Sequence, residues 1–286
     1  MIDLHIHTAY SDGTATLEEL LLECEKKKLE VISITDHNTI ISYKELIKLR
    51  NLFTGRIIKG IEISTSYQEQ KIEVLVYDFD KKKMNNFLNK YFSKEIINQK
   101  YYDLHQHILK ILDANKIEYD NKFKTFYPFY LSDLYSEIKH QSYKINENIW
   151  TDYNSFLRKG LYNKESIFYF DNKQYDLPLN KIIDELKNTN GKIFLAHPFQ
   201  YKENETKTFI TDMYNEIKLD GIECYYTTFT KDQTKYLINF AKERNLLISG
   251  GSDFHGSRKQ NHDIGTGNNN LKISKDILNN WNINYI

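Results

Sequence analysis

Cysteine is scarce. The 286 residues carry only Cys24 and Cys224, too few for a disulfide framework and suited to a reducing compartment. Proline (3) and glycine (11) are also few, which excludes collagen-like and Pro/Gly-rich low-complexity chains. No apolar run approaches the roughly 18 residues that span a bilayer, and no basic start leads into an apolar stretch as in a secretory leader. The expected location is therefore cytoplasmic, with no membrane partner. Neither sign of charge is in excess: 39 Lys and Arg balance 39 Asp and Glu. That balance argues against a broad nucleic-acid-binding face, so any recognition of phosphate has to be local. What is present, 40% hydrophobic and 27% charged residues, is the composition of a globular protein with a real core.

The length suits a single α/β barrel of about 250 residues carrying an insertion. Short strands rich in β-branched residues are predicted at Ile2–Ile6, Val31–Ile34 and residues 56–63, 72–79, 192–196, 221–225 and 246–249. Thr16-Leu17-Glu18-Glu19 offers a capping box for a helix whose apolar face is Leu17, Leu20, Leu21 and Cys24. Strands alternating with helices imply parallel pairing. From about residue 81 to 180 the spacing turns helical, with Met84, Phe87, Leu88 and later Ile108, Ile111 and Leu112 three or four apart. This stretch reads as a mainly helical insertion in one domain spanning residues 1–286.

Nine histidines are present, and five stand at predicted strand ends beside Asp, Glu or Gly. His5 and His7 lie two apart on a strand, so both imidazoles project to one side and can approach one metal ion. His105 and His107 share that spacing but fall on a predicted helix, where residues two apart diverge by about 200°, and read as structural. His140 and His262 read as solvated. Asp12 follows the first strand in Ser11-Asp12-Gly13, an ordinary turn if taken alone. Asp36-His37 follows the second strand, where Asp36 could instead cap a helix. Glu62 sits between apolar neighbours in the third, where an isolated carboxylate is costly unless paired or metal-bound. His197-Pro198 ends the fifth, and Asp253 and His255 follow the seventh. Parallel barrels gather their catalytic groups at such strand ends.

Asp3-Leu4-His5-Ile6-His7-Thr8, Ser11-Asp12-Gly13, Ile34-Thr35-Asp36-His37-Asn38, Gly60-Ile61-Glu62-Ile63, Leu195-Ala196-His197-Pro198 and Gly251-Ser252-Asp253-Phe254-His255-Gly256 together resemble the polymerase and histidinol phosphatase (PHP) family, in the family's order. The resemblance implies a distorted seven-stranded (β/α)7 TIM-like barrel that hydrolyses phosphate esters with a cluster of two or three divalent ions, Zn, Mn or Fe. It assigns His5, His7, Glu62 and Asp253 to one ion. Glu62 would bridge to a second ion that His197 also binds, and Asp12, His37 and His255 would hold a third. Relatives often place a histidine in the fourth strand; here Glu73 occupies its place, and a carboxylate there would tilt the site toward Mn or Fe.

A phosphomonoester is anionic and repels hydroxide, so its hydrolysis needs positive charge on its oxygens and an activated water. The expected reaction is in-line attack by metal-bound hydroxide, with His37, His255 and Asp253 as the residues closest to the chemistry. Arg158 and Lys159 in the insertion and Arg258 and Lys259 after the last motif are candidate cationic contacts for the substrate phosphate. Tyr127-Pro128-Phe129-Tyr130 and Tyr225-Tyr226 could stack on a base or simply pack in a core. The leading expectation is a phosphatase acting on a small phosphomonoester, a nucleotide or a histidinol-phosphate-like compound, and not on extended nucleic acid. The alternatives are a short-oligonucleotide exonuclease and a low-activity, metal-stabilised binding module.

Overall fold

The computed structural model describes residues 1–124, 131–145, 148–171, 173–202 and 205–286. Seven strands run β1 (Ile2–Ile6), β2 (Val31–Ile34), β3 (Arg56–Tyr67), β4 (Gln70–Tyr77), β5 (Lys192–Leu195), β6 (Gly221–Tyr226) and β7 (Leu247–Gly251), paired in sequence order in one sheet. The ends of that sheet meet beyond β7: the His7 N–H donates to the Phe254 carbonyl at 2.9 Å and the Asp253 N–H to the His5 carbonyl at 2.8 Å. The sheet is thereby nearly closed into a barrel. Gly251 permits the approach, because a Cβ there would collide with the backbone nitrogen and Cβ of His5.

The parallel pairing implied by the alternation of strands and helices does not hold at β4. β4 runs antiparallel to both β3 and β5, because Gln68 and Glu69 form a two-residue turn with φ of 48° and 62°, the positive-φ geometry that closes hairpins. Nothing in Tyr67-Gln68-Glu69-Gln70 carries the Asn-Gly or Asp-Gly signature of such a turn. The reversal puts the start of β4, with Glu73, at the end of the barrel where the other strands finish.

Helices α1 (Leu17–Lys26), α2 (Ser42–Leu49), α3 (Lys81–Tyr91), α7 (Leu179–Lys187), α8 (Thr206–Glu216) and α9 (Lys231–Glu243) belong to this unit, and α4 (Lys94–Ala114), α5 (Leu131–Ile138) and α6 (Tyr153–Ser155) to the other. The capping box of α1 forms both of its reciprocal bonds, and Leu17, Leu20, Leu21 and Cys24 are buried. By contacts the chain divides into residues 1–91 with 177–286, which hold the barrel, and residues 92–176. The second unit packs its own core of Ile108, Leu112, Leu134, Ile138, Phe156 and Phe168. His105 lies in it, its Nε2 2.5 Å from the Phe123 carbonyl, while His140 is exposed. No helix among the described residues is long and apolar enough to cross a membrane.

Candidate metal centre

The strand ends converge. His5 comes from β1 and His7 from just past it, His37 from the segment after β2, Glu62 from β3, Glu73 from β4, His197 from just past β5, and Asp253 and His255 from the loop after β7. Glu62 is central. Its Oε2 lies 3.1 Å from His5 Nε2, 3.2 Å from His7 Nε2 and 3.3 Å from His37 Nδ1, and its Oε1 lies 2.9 Å from His197 Nε2. Asp253 Oδ1 stands 3.5 Å from His5 Nε2 and 3.3 Å from His7 Nε2. Its other oxygen accepts from the Tyr226 hydroxyl at 2.7 Å and from Lys259 at 2.5 Å, which turns Oδ1 into the cluster. Asp12 Oδ1 approaches His255 Nε2 at 3.1 Å and His37 Nε2 at 3.8 Å. Glu73 reaches His37 at 3.4 Å and His197 at 3.3 Å.

Three overlapping sets of donors therefore converge closely enough to hold an ion each: His5, His7, Glu62 and Asp253; His7, Asp12, His37 and His255; and His37, Glu62 and Glu73, with His197 adjoining the last. The second set includes His7 in addition to the three residues expected for it.

The chemistry of these donors fits cations. Both ring nitrogens of His7, Nδ1 of His37 and Nε2 of His255 are buried beside carboxylate oxygens without a well-aligned hydrogen bond, a crowding of acceptors and lone pairs that a shared cation would satisfy. Charge points the same way. Burial opposes a charged His7, yet Asp253 and Glu62 outweigh it and push its pKa up to about 9. Burial likewise opposes a charged His197, and Glu62 and Glu73 raise it to about 10. Burial would raise Glu62 and Asp253, but the surrounding imidazoles, with Lys259 on Asp253, hold both well below the carboxylate range. The pocket is short of positive charge, and in the metal-free chain protons supply it.

Two residues of the cluster lie in the left-handed region. His197 has φ 26° and Asp253 φ 55°, left-handed values that non-glycine residues hold only when their surroundings compel it. The Asp36 carboxylate accepts from the Thr8 N–H and hydroxyl and from Ser11, bracing the loop that carries Asp12 rather than capping a helix.

Of the expected phosphate contacts, Lys259 stands at the cluster, its side chain 39% exposed. Arg258 and Lys159 are exposed, and the Arg158 side chain and the stretch Tyr127 to Tyr130 lie outside the described residues. His262 is not solvated as expected: its Nδ1 lies 2.9 Å from the Ser252 carbonyl and its ring stands edge-on to Tyr226. Sequence reasoning also passed over Glu223, wholly buried in β6 and bonded to His5 and to the backbone of His197. The signal was available, since Gly221-Ile222-Glu223-Cys224 repeats the pattern of Gly60-Ile61-Glu62-Ile63: an acid set among apolar strand residues.

Comparison with known families matches the PHP domain to residues 3–176, more than half of the chain. The chain belongs to the PHP domain family. The match holds His5, His7, Asp12, His37, Glu62 and Glu73, while His197, Asp253 and His255 lie beyond it. The chain is 25% identical over 264 residues to a Haemophilus influenzae protein named 5'-3' exoribonuclease, covering 88% of this chain and 89% of that one. It is 22% identical over 258 residues to the phosphoribosyl 1,2-cyclic phosphate 1,2-diphosphodiesterase of Eggerthella lenta, covering 89% and 94%. Among solved structures, one named for a metal-dependent phosphoesterase of Bifidobacterium adolescentis aligns with TM-score 0.61 at 18% identity, covering 97% of this chain and 94% of that one. An amidohydrolase from Chromobacterium violaceum with bound sulfate aligns with TM-score 0.63 at 18% identity, covering 90% and 88%. Both structures share the fold of this chain. It is a PHP-family metal-dependent phosphoesterase with a His/Asp/Glu cluster able to bind metal.

Proposed function

We propose that this PHP protein hydrolyses the phosphoester of a small ribose-phosphate substrate, either a mononucleotide or the terminal linkage of a short oligonucleotide. The observation that carries the reading is the sharing of Glu62, His7 and His37 among three converging donor sets, which keeps the ions they would hold close together. His5, His7, Glu62 and Asp253 would hold one ion. Glu62, Glu73 and His197 would hold a second, and Asp12, His37 and His255 a third. Bound divalent ions supply positive charge for the phosphate oxygens and lower the pKa of an attacking water.

The residues themselves set the direction of approach. His5 and Glu223 are sealed at 0% exposure, whereas Asp12 at 40%, Glu73 at 29%, His37 at 22% and Lys259 at 39% form the open rim. Substrate must enter across that rim. Lys259, tied to Asp253 at its inner edge, is placed to pair with a phosphate oxygen, and His37 is the cluster imidazole with most access to a leaving oxygen. Burial lowers the pKa of His255, which favours the neutral imidazole whose Nε2, beside Asp12, would bind the third ion.

Relatives that match nearly the whole chain are named for cleaving ribonucleotide and phosphoribosyl esters, which supports ribose phosphate over other esters. Protein stripped by chelator and reloaded with Mn²⁺ is assayed against nucleoside monophosphates, a pentose cyclic phosphate and 5'-phosphorylated dinucleotides. Release of inorganic phosphate marks a phosphatase, and release of a mononucleotide marks an exonuclease. Turnover that persists in fully metal-free protein would refute both.

A further inference from the structure

We propose that Glu223 is a positioning residue of the metal centre, which couples His5 to His197 and fixes Nε2 of His5 as the nitrogen that faces Glu62 and binds the ion. Glu223 is fully buried between Ile222 and Cys224 in β6. No lysine or arginine among the described residues pairs with it; its one ion-pair partner is His5. A carboxylate left in such a place without partners would be strongly destabilising, so what it touches matters.

Its two oxygens do separate work. Oε1 lies 3.0 Å from the Nδ1 of His5, and Oε2 accepts the backbone N–H of His197 at 2.7 Å. The same two histidines meet the two oxygens of Glu62 through their Nε2 atoms, at 3.1 and 2.9 Å. Glu223, His5, Glu62 and His197 thus form a closed ring with one carboxylate outside the donor cluster and one within it. A carboxylate at Nδ1 can only accept, so Nδ1 keeps its proton, and when an ion displaces the proton that Nε2 shares with Glu62 the lone pair is left on Nε2, the arrangement a metal-binding imidazole needs. The second bond acts on the backbone. His197 sits at φ 26° immediately before Pro198, and its N–H bond to Glu223 anchors that left-handed turn, from which its ring reaches Glu62.

An amide in place of the carboxylate cannot serve both partners. The His197 N–H has no choice of proton, so the amide oxygen goes to it and the NH₂ faces Nδ1 of His5. That forces the opposite tautomer, with a proton on Nε2 aimed into the cluster. Glu223→Gln should therefore lower Zn²⁺ affinity about 10- to 100-fold, the range for carboxylates that orient metal-binding histidines. Calorimetric titration of the chelator-stripped full chain with Zn²⁺ measures this, beside the thermal unfolding of the metal-free protein. A merely structural carboxylate would shift the unfolding temperature and leave Zn²⁺ affinity unchanged, which would overturn the proposal. The Zn²⁺-loaded wild-type chain tests it without any variant: ¹⁵N NMR should find the His5 proton on Nδ1, and a proton on Nε2 would overturn it. The proposal rests on the metal-centre reading, but the two fail differently. Wild type that takes up no Zn²⁺ sinks that reading, whereas wild type and variant that bind it equally tightly sink this one.

Discussion

The seven strands of the barrel end in two different kinds of chemistry. Where the parallel strands begin, Ile2, Val31, Ile58, Tyr77 and Phe194 pack against Ile273, Leu278 and Trp281 of the C-terminal segment. The Trp281 ring lies 4.7 Å from that of Phe194 and 5.1 Å from that of Tyr77. Where the strands finish, imidazoles and carboxylates crowd together with ring nitrogens lacking a well-aligned hydrogen bond. The first end is cohesive by itself, since apolar burial and dispersion need no particular orientation. The second is costly by itself, and its groups suit a ligand that supplies charge. Removing packing at the first end should therefore cost stability and little activity, and removing a donor at the second should cost activity first.

Two variants test that separation most directly. Trp281→Ala removes a wholly buried ring and should cost about 3–5 kcal/mol of stability, read from urea unfolding of the metal-free chain. Turnover per folded molecule should stay near wild type, and a proportional loss of turnover would break the division between the ends. At the other end, Glu62→Gln takes away the carboxylate shared by two donor sets. Activity should fall on the order of a hundredfold to a thousandfold, as when a pre-set electrostatic group is removed from an active site. Bound metal per chain should fall with it, and full metal content with full activity would remove Glu62 from the centre.

Acidity distinguishes the ends without a mutation. Despite the cost of burial, the neighbouring carboxylates raise His7 to about 9 and His197 to about 10 in the metal-free chain, against about 6.5 unfolded. Raised folded values mean stability that is fully present below about pH 6.5 and lost as pH climbs through 9 to 10. The metal-free protein should therefore unfold at progressively lower temperature across that window. Metal displaces the same protons, so uptake should release protons and tighten with rising pH. A metal-free chain as stable at pH 9 as at pH 6.5 would mean that the cluster carries no such protons.

How much of this could be read from the chain alone follows the same division. β1 and β2 were legible from short β-branched runs, and α1 from Thr16 and Glu19, because local propensity and packing agree there. The donor residues were legible because acids and imidazoles recurring at the ends of apolar strands are costly to bury unless they meet one another or a cation. The reversal of β4 was not, since a hairpin through Gln68 and Glu69 lacks the usual turn residues and its apolar alternation reads alike in either direction. By contacts α3 belongs with the barrel unit, and the other unit starts at Phe92. Helical periodicity continues across that point and marks no break. Glu223 was overlooked although its neighbours match those of Glu62, because no second polar residue near it in sequence reveals what it serves; His5 is 218 positions away.

The smallest expected effect lies on the open rim, where the contrast between the ends is least sharp. Lys259 has its Nζ 2.5 Å from Asp253 and its side chain 39% exposed, so it can neutralise Asp253 from inside or meet a substrate phosphate from outside. Lys259→Met separates these roles. If the ammonium contacts the phosphate, KM should rise roughly tenfold with kcat little changed, the size of one charged hydrogen bond. If it only steadies Asp253, kcat and metal content should fall and KM should hold. Arg258→Met serves as the control, since Arg258 is exposed on the same turn and would share the effect only if the whole basic pair, rather than the ammonium beside Asp253, receives the substrate.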